Sequence, residues 1–155
     1  MNTVIEESTA VAKDKPLVQI ENLFRENEQF TSTILRFAGL IGGRRHPGRF
    51  FSSGKTIKDP DAFVNLIHRD DCIAIITKLL EKKIWGEVFN GCADSHPKKR
   101  DYYPNAARAM GAKPPSFDAP DSISYKIISN HKIKQRLNYT FLHADLMDFG
   151  YLNKP

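Results

Sequence analysis

Residues 32–51 read STILRFAGLIGGRRHPGRFF, and this stretch decides the fold. Its first half is apolar and rich in β-branched residues, which predicts a buried strand over about residues 31–41. Both faces of this strand are largely apolar, as is typical of a parallel strand covered on two sides. The second half contains glycine and arginine and predicts a loop that begins where the strand ends. Ligands of open α/β sheets bind beyond the carboxyl ends of the strands, so this loop is the first candidate binding site.

The composition excludes several classes of protein. A chain of 155 residues is long enough for one domain with a hydrophobic core. No apolar run approaches the roughly 20 residues that span a bilayer, and the N-terminus lacks the basic start and apolar centre of a secretory signal. Cys72 and Cys92 do not have the spacing of a zinc site or of a disulfide framework. We therefore expect a cytoplasmic protein that does not contact a membrane.

The net charge of +5 raises the alternative of a nucleic-acid-binding protein. The 23 lysines and arginines are interleaved with 18 acidic residues, and the longest basic run covers only residues 98–100. The sequence contains no RNA-recognition, zinc-finger or basic-zipper signature. A solvated basic surface is therefore the favoured interpretation, and nucleic-acid binding stays an alternative.

Helices and strands are predicted to alternate on both sides of the central strand. Residues 1–15 are polar and irregular, and Pro16 begins an amphipathic helix that continues to about residue 27. An extended run over residues 63–68 precedes a helix that Asp70 or Asp71 can cap. The predicted buried stripe of that helix consists of Ile73, Ile76, Leu79 and Leu80.

The later part of the chain continues this alternation. Residues 42–61 contain glycine, proline and aspartate at intervals, and the length of this segment is typical of a binding loop. Short strands are predicted over residues 88–90 and 125–128, and helices are predicted to open near Ser95 and Asn130. Alternation of this kind indicates an α/β protein.

The order of these elements leads to a resemblance. The sequence ILRFAGLIG over residues 34–42 resembles the strand-to-loop segment near the middle of the extended short-chain dehydrogenase/reductases, the NAD-dependent epimerase/dehydratase enzymes. Residues 46–50, HPGRF, are similar to a loop of a bacterial subgroup of nucleoside-diphosphate-sugar epimerases. Over about residues 6–152, further pieces resemble the family in order: VNLIHRDD at 64–71, EVFNG at 87–91 and SNHKI at 129–133.

The resemblance implies a fold. It identifies the chain as the C-terminal half of such an enzyme, forming one truncated domain over residues 1–155. Residues from about 16 to 95 are expected to form the C-terminal part of a Rossmann-like parallel sheet with flanking helices. Residues from about 96 to 155 are expected to form a small α+β lobe that binds the substrate.

The resemblance also implies that part of the family's chemistry lies outside this chain. The family carries a glycine-rich loop for the dinucleotide pyrophosphate, a catalytic Ser or Thr and a Tyr-x-x-x-Lys pair in its first half. No such glycine pattern precedes Gly39, no tyrosine precedes Tyr102, and Lys13 and Leu17 align with the family's Tyr and Lys. We therefore expect NAD or NADP in a complete parent protein, no cofactor bound by this chain alone and no independent dehydrogenase activity.

The candidate site residues follow from the loop and from the resemblance. The family places the backbone of residues 39–42 near the nicotinamide, whereas the arginines of the loop are suited to bind phosphate oxygens through paired hydrogen bonds. The expected cofactor-proximal residues are Arg36, Gly39, Leu40 and Gly42. The expected substrate- or anion-binding residues are Arg44, Arg45, His46, Arg49 and His68.

Each of these residues also has a structural interpretation. Arg36 interrupts an apolar strand and must be paired, so it is either a structural tie or a contact near the site. His68 can be a hydrogen-bonding residue at the end of a strand, His46 can be an acid/base group or an ordinary loop histidine, and the loop arginines can be solvated surface. No catalytic residue and no metal ligand is predicted.

Three functions remain open from the sequence. The chain can be the substrate-binding portion of an epimerase/dehydratase-like oxidoreductase, a stand-alone binding or regulatory module for a nucleotide-sugar-like anion, or a basic nucleic-acid-associated protein. A strand that has lost its usual neighbours leaves apolar surface and open backbone groups exposed. We therefore expect the chain to self-associate or to contact a separate N-terminal half.

Overall fold

The computed structural model describes residues 2–10, 12, 14–51, 56–119 and 125–150. The position of Lys13 in the alignment above lies outside the described residues. The elements, in chain order, are β1 (Asn2–Ile5), α1 (Pro16–Arg25), β2 (Ile34–Phe37), β3 (Gly39–Ile41), a 3₁₀ turn (Pro47–Arg49), β4 (Leu66–His68), α2 (Arg69–Glu81), β5 (Val88–Gly91), α3 (Lys99–Ala109), β6 (Tyr125–Ile128) and α4 (His131–Leu137).

The strands pair in parallel, as the α/β prediction requires. β1 pairs with β6, β2 with β5 and β3 with β4. Helix α2 lies in the connection from β2 to β5, whereas β3 and β4 are joined by a long loop that contains the 3₁₀ turn. Parallel partners need such long crossover connections. The predicted class, a partial Rossmann-like α/β fold, is confirmed.

The central strand differs from its prediction in one respect. It is divided at Ala38 into two short strands that belong to different ladders. The amide of Ala38 still donates to the carbonyl of Gly91 in β5 at 2.9 Å, and the amide of Gly39 donates to the carbonyl of Asn65, just before β4, at 3.2 Å. The single strand predicted over residues 31–41 is therefore wrong, because the chain changes its hydrogen-bonding partner midway. The residues of β2 are only half-buried, and two of the three residues of β3 are exposed.

The N-terminal segment contains one strand that was not predicted and one helix whose apolar side chains are not buried. The irregular stretch predicted over residues 1–15 contains β1, whereas the predicted helix α1 is confirmed. No side chain of α1 is buried, and Leu17 and Leu23 are 80% and 71% exposed. The helix is held on β2 by Arg36, whose guanidinium donates to both carboxylate oxygens of Glu21 at 2.5 and 2.9 Å. The apolar face of α1 is therefore left open.

The main core lies on the opposite face of β2 and β5, under α2 and α4. Here the predicted stripe of α2 is wrong: Ile73, Ile76 and Leu80 are exposed, and only Leu79 of that set is buried. The helix is instead turned to bury a row that begins with Asp71. The core consists of Ile67, Cys72, Ile75, Leu79, Phe89, Ile133, Leu137, Tyr139 and Phe141.

The buried carboxylate of Asp71 explains why α2 takes this orientation. It accepts the hydroxyl of Tyr139 at 2.6 Å and the backbone amides of Leu142 and His143 at 2.7 and 3.1 Å. Burial, followed by the hydrogen bond to Asp71, raises the pKa of the Tyr139 hydroxyl. A buried charge must be paired, and these three donors supply that pairing. The carboxylate therefore attaches the segment after α4 to the amino end of α2.

A second, smaller core lies beside the 3₁₀ turn and α3. Gly48 of the turn packs on α3, and a Cβ at this position would lie 2.5 Å from the carbonyl oxygen of Ala106. The turn and the helix are consequently in direct backbone contact. The cluster consists of Ile41, Val64, Leu66, Ala93, Tyr102 and Leu146.

None of the described helices is long and apolar enough to cross a membrane.

The role of Asp71 can be tested by substitution. Asp71→Ala leaves one hydroxyl and two amides without their acceptor, and we expect it to lower the free energy of unfolding by about 3 kcal/mol. Tyr139→Phe removes only one donor and should cost about 1 kcal/mol. Urea denaturation followed by circular dichroism measures both values. Equal losses in the two variants would contradict the central role of the carboxylate.

The ion pair of Glu21 and Arg36 predicts a dependence of stability on pH. The hydrogen bonds from Arg36 lower the pKa of Glu21 in the folded chain. The stabilisation is therefore present above the unfolded pKa of about 4.3 and is lost as the pH falls below it towards the lower folded value. Glu21→Gln should remove this part of the acid dependence and cost up to about 1 kcal/mol at pH 7. The measurement is urea denaturation between pH 7 and pH 3, with the exposed Glu28→Gln as a control that leaves the profile unchanged.

Candidate functional site

The candidate loop begins with a tight turn directly after β3. Gly42 and Arg45 exchange two backbone hydrogen bonds, at 3.1 and 3.3 Å, and Gly42 and Gly43 both have positive φ angles. These angles favour glycine, since other residues are strained there. A side chain at residue 42 would also collide with the imidazole of His68. The two glycines are thus explained by the turn and by the packing of His68.

The basic side chains of the loop lie at the surface. Arg44, Arg45 and Arg49 are all exposed. The guanidinium of Arg45 donates to the carbonyl of Leu40 at 3.0 Å and lies 6.0 Å from the ring centre of Phe50. The side chain of Arg45 therefore lies against the backbone of β3. The three cations are placed at the carboxyl end of β3, where the sequence predicts the ligand, and ligand binding by them stays a prediction.

His46 has a structural role in this loop. It is only 7% exposed, and its Nδ1 accepts the amide of Gly48 at 3.0 Å, which caps the 3₁₀ turn. Its Nε2 is buried without a hydrogen-bond partner among the described residues. Burial, and then the nearby charge of Arg49, lower the pKa of His46. The imidazole is therefore neutral at pH 7, with one ring nitrogen available.

His68 lies at the end of β4 and caps α2. Its Nδ1 accepts the amide of Asp70 at 3.2 Å, so the predicted cap by Asp70 or Asp71 is wrong and the histidine takes that position. His68 is 4% exposed, and burial and the adjacent His143 lower its pKa. Its ring touches Gly42, so β4 and the candidate loop meet at this residue.

Of the predicted cofactor-proximal residues, Arg36 is tied to α1 through Glu21, as the structural interpretation proposes. Gly39 and Leu40, the first two residues of β3, are exposed. A Cβ on Gly39 would lie 2.6 Å from the side chain of Leu66, which explains this glycine without a cofactor. No glycine-rich phosphate loop precedes a helix among the residues that the structure describes.

His143 is the site residue that the sequence analysis missed. Its ring centre lies 3.9 Å from that of His68, and its Nε2 is 3.6 Å from the carboxylate of Asp70. The two histidines are 75 positions apart, and only the attachment of the C-terminal segment to Asp71 brings them together. No local motif of the sequence carries this information.

A cleft of 520 Å³ lies away from the loop, between the amino end of β5 and the residues that follow the carboxyl ends of β1 and β6. Its lining contains both acidic and basic side chains, and one of its cations, Lys132, is paired with Glu87 at 3.3 Å. None of the residues predicted to bind a ligand lines this cleft. The loop and the end of β4 therefore remain the candidate site.

Comparison with known proteins begins with sequence. No protein-family model matches the chain. Protein YeeZ of Escherichia coli K12 is 44% identical over 113 residues, which are 72% of this chain and 41% of that protein. The matched region of the chain therefore spans less than half the length of this relative.

Solved structures of epimerase/dehydratase type share the fold. A candidate NAD-dependent epimerase/dehydratase from Methylobacillus flagellatus is 23% identical, with a TM-score of 0.75 over 98% of this chain and 57% of that chain. UDP-glucuronic acid 4-epimerase from Bacillus cereus, solved in complex with NAD, is 18% identical, with a TM-score of 0.71 over 96% of this chain and 54% of that chain. The chain thus has the fold of about half of an NAD-dependent epimerase/dehydratase, consistent with the C-terminal half that its sequence predicts.

Proposed function

We propose that this chain is the substrate-binding portion of an NAD(P)-dependent epimerase/dehydratase-type oxidoreductase. The observation that carries the proposal is the fold, which aligns over nearly the whole chain with about half of such enzymes. In this proposal, residues from about 16 to 95 supply the sheet and residues from about 96 to 155 the substrate lobe. NAD or NADP is bound chiefly by the other half of a complete protein, and this chain has no dehydrogenase activity alone.

The proposed ligand is a nucleotide sugar or a similar phosphate-bearing molecule. Arg44, Arg45 and Arg49 expose three guanidinium groups on one short loop at the carboxyl end of β3. Such groups bind phosphate oxygens through charge-assisted, paired hydrogen bonds. The B. cereus structure of the same fold is a UDP-glucuronic acid 4-epimerase, which supports a nucleotide sugar as the substrate class.

The two histidines have different parts in this proposal. His68 supports the loop by packing against Gly42, where any side chain would collide with the imidazole. His46 is buried and neutral, and because its Nδ1 accepts the amide of Gly48, its Nε2 carries the proton. We propose that this Nε2, which has no partner among the described residues, donates one hydrogen bond to a ligand seated at the 3₁₀ turn. The exposed start of β3, at Gly39 and Leu40, is proposed to face the nicotinamide, with Arg36 and Gly42 also close to the cofactor.

The open face of α1 supports a partner for this chain. Four apolar side chains of that helix are at least half exposed, far more than a stable helix surface leaves to water. We propose that this face contacts the missing N-terminal half or, in its absence, a second copy of the chain. The exposed apolar side chains are Leu17, Ile20, Leu23 and Phe24.

The cysteines support a cytoplasmic location for the protein. Cys72 and Cys92 are both free and buried. Burial raises the pKa of the Cys72 thiol to about 11 and that of Cys92 to about 12. Thiols of this kind are unreactive and are typical of proteins kept in a reducing compartment.

Ligand binding by the loop can be tested by calorimetry with UDP-glucose. We expect the double variant Arg44→Ala/Arg45→Ala to bind UDP-glucose at least about tenfold more weakly, because each substitution removes a charge-assisted contact with phosphate. Arg108→Ala, an exposed arginine on α3, is the matched control and should bind like the unmodified chain. UDP-glucose binding that is equal in both variants would contradict the assignment of the loop.

The same preparation tests the alternative of nucleic-acid binding. Affinity for phosphate backbones is greatest at low ionic strength. A duplex DNA titration at low salt should show no binding in the concentration range where UDP-glucose binds. Binding that weakens steeply with added salt would favour the nucleic-acid alternative instead.

The open face of α1 predicts the association state of the isolated chain. We expect sedimentation equilibrium to show association that increases with concentration, since burial of Leu17 and Leu23 removes apolar surface from water. The variant Leu17→Glu/Leu23→Glu should sediment as a monomer of 17.6 kDa. Leu142→Glu, an exposed leucine elsewhere, is the control and should leave the association unchanged. A monomeric unmodified chain would contradict the prediction.

A further inference from the structure

Three side chains with metal-ligating atoms meet at the amino end of α2. His68 and Asp70 belong to the end of β4 and the first turn of α2, and His143 comes from the segment after α4. One carboxylate oxygen of Asp70 lies 3.6 Å from Nδ1 of His68 and 3.6 Å from Nε2 of His143. One ligand atom from each residue lies within 4.8 Å of the other two. The cluster therefore joins two distant segments around one small space.

The two distances from Asp70 to the histidine nitrogens are close to those of a coordination polyhedron. Ligand atoms bound at about 2.1 Å from a tetrahedral metal ion lie about 3.4 Å apart. The two nitrogen-to-oxygen distances exceed this by only a few tenths of an ångström, and they are too long for strong hydrogen bonds. The Asp70 side chain is 43% exposed, and its other carboxylate oxygen accepts the guanidinium of Arg69 at 3.3 Å.

The donor set indicates the class of ion. Two imidazole nitrogens and one carboxylate oxygen suit borderline transition metals such as Zn²⁺, whereas Mg²⁺ and Ca²⁺ prefer oxygen ligands alone. Three protein ligands leave at least one coordination position for water or for an anionic ligand. We infer that His68, Asp70 and His143 form a binding site for one divalent transition-metal ion of the Zn²⁺ class.

Two features of the site limit its affinity. An ion on Nδ1 of His68 replaces the 3.2 Å hydrogen bond from the amide of Asp70, which now caps the helix. The amino end of α2 carries the positive end of the helix dipole, which disfavours a cation. We therefore expect a dissociation constant in the micromolar range rather than the tighter binding of a structural zinc site.

The proposed metal site lies next to the glycine- and arginine-rich loop. The ring of His68 touches Gly42, and the guanidinium of Arg69 lies beside Gly43. The open coordination position therefore belongs to the same end of the sheet as the loop arginines. The metal site rests on the geometry of its three ligands and stands independently of the proposed substrate.

The experiment is an equilibrium titration of the full chain with ZnCl₂, followed by calorimetry. We expect one ion per chain. Asp70→Asn and His143→Ala should each weaken binding at least about tenfold, because each removes one of three ligands. His131→Ala, an exposed histidine outside the cluster, is the control and should bind like the unmodified chain. The absence of binding at millimolar Zn²⁺, or equal affinity in all three variants, would overturn the inference.

A second measurement needs no substitution and so does not depend on whether the variants fold. The chain contains five histidines, and their ring ¹⁵N signals can be followed in one spectrum. Zn²⁺ should shift the signals of His68 and His143 together and at the same metal ratio. Shifts confined to His46, His96 or His131 would place the ion elsewhere and contradict the site.

Discussion

The buried carboxylate of Asp71 joins the amino end of α2 to the segment that follows α4. Its three donors are Tyr139, Leu142 and His143, and all lie about 70 positions further along the chain. An uncompensated charge in this position would be strongly destabilising, so the carboxylate and its donors must be placed together. This constraint turns α2 so that Ile73 and Leu80 face outward, and it brings His143 beside His68.

The second organising feature is the change of hydrogen-bonding partner at Ala38. The chain leaves the β5 ladder there and enters the β4 ladder, so the loop that follows β3 begins next to the end of β4. His68 fills the space above Gly42, and the arginines of the loop are left at the surface. The glycine- and arginine-rich loop and the histidine cluster thus share one end of the sheet, which is where parallel sheets place their ligands.

Much of the fold could be predicted because its signals are local. The helix that begins at Pro16, the strand at Tyr125–Ile128 and the helix that follows Asn130 all appear where short-range patterns indicate them. The errors concern contacts over long distances. Apolar spacing along α2 admits two faces, and the face that is buried is selected by Asp71, a charged residue that hydrophobic patterning assigns to the surface. The cap of α2 was predicted to be an aspartate, yet the geometry at the end of β4 gives that position to His68.

By itself, the sequence determined the α/β class, the place of the glycine- and arginine-rich loop and the resemblance to half of an epimerase/dehydratase. These properties reside in residues close together in the chain, where propensity and spacing act directly. Only the tertiary structure decided the pairing of Arg36 with Glu21, the open face of α1 and the meeting of His68, Asp70 and His143. The physical reason is that each depends on which distant groups satisfy a buried or half-buried charge, and no local pattern specifies those partners.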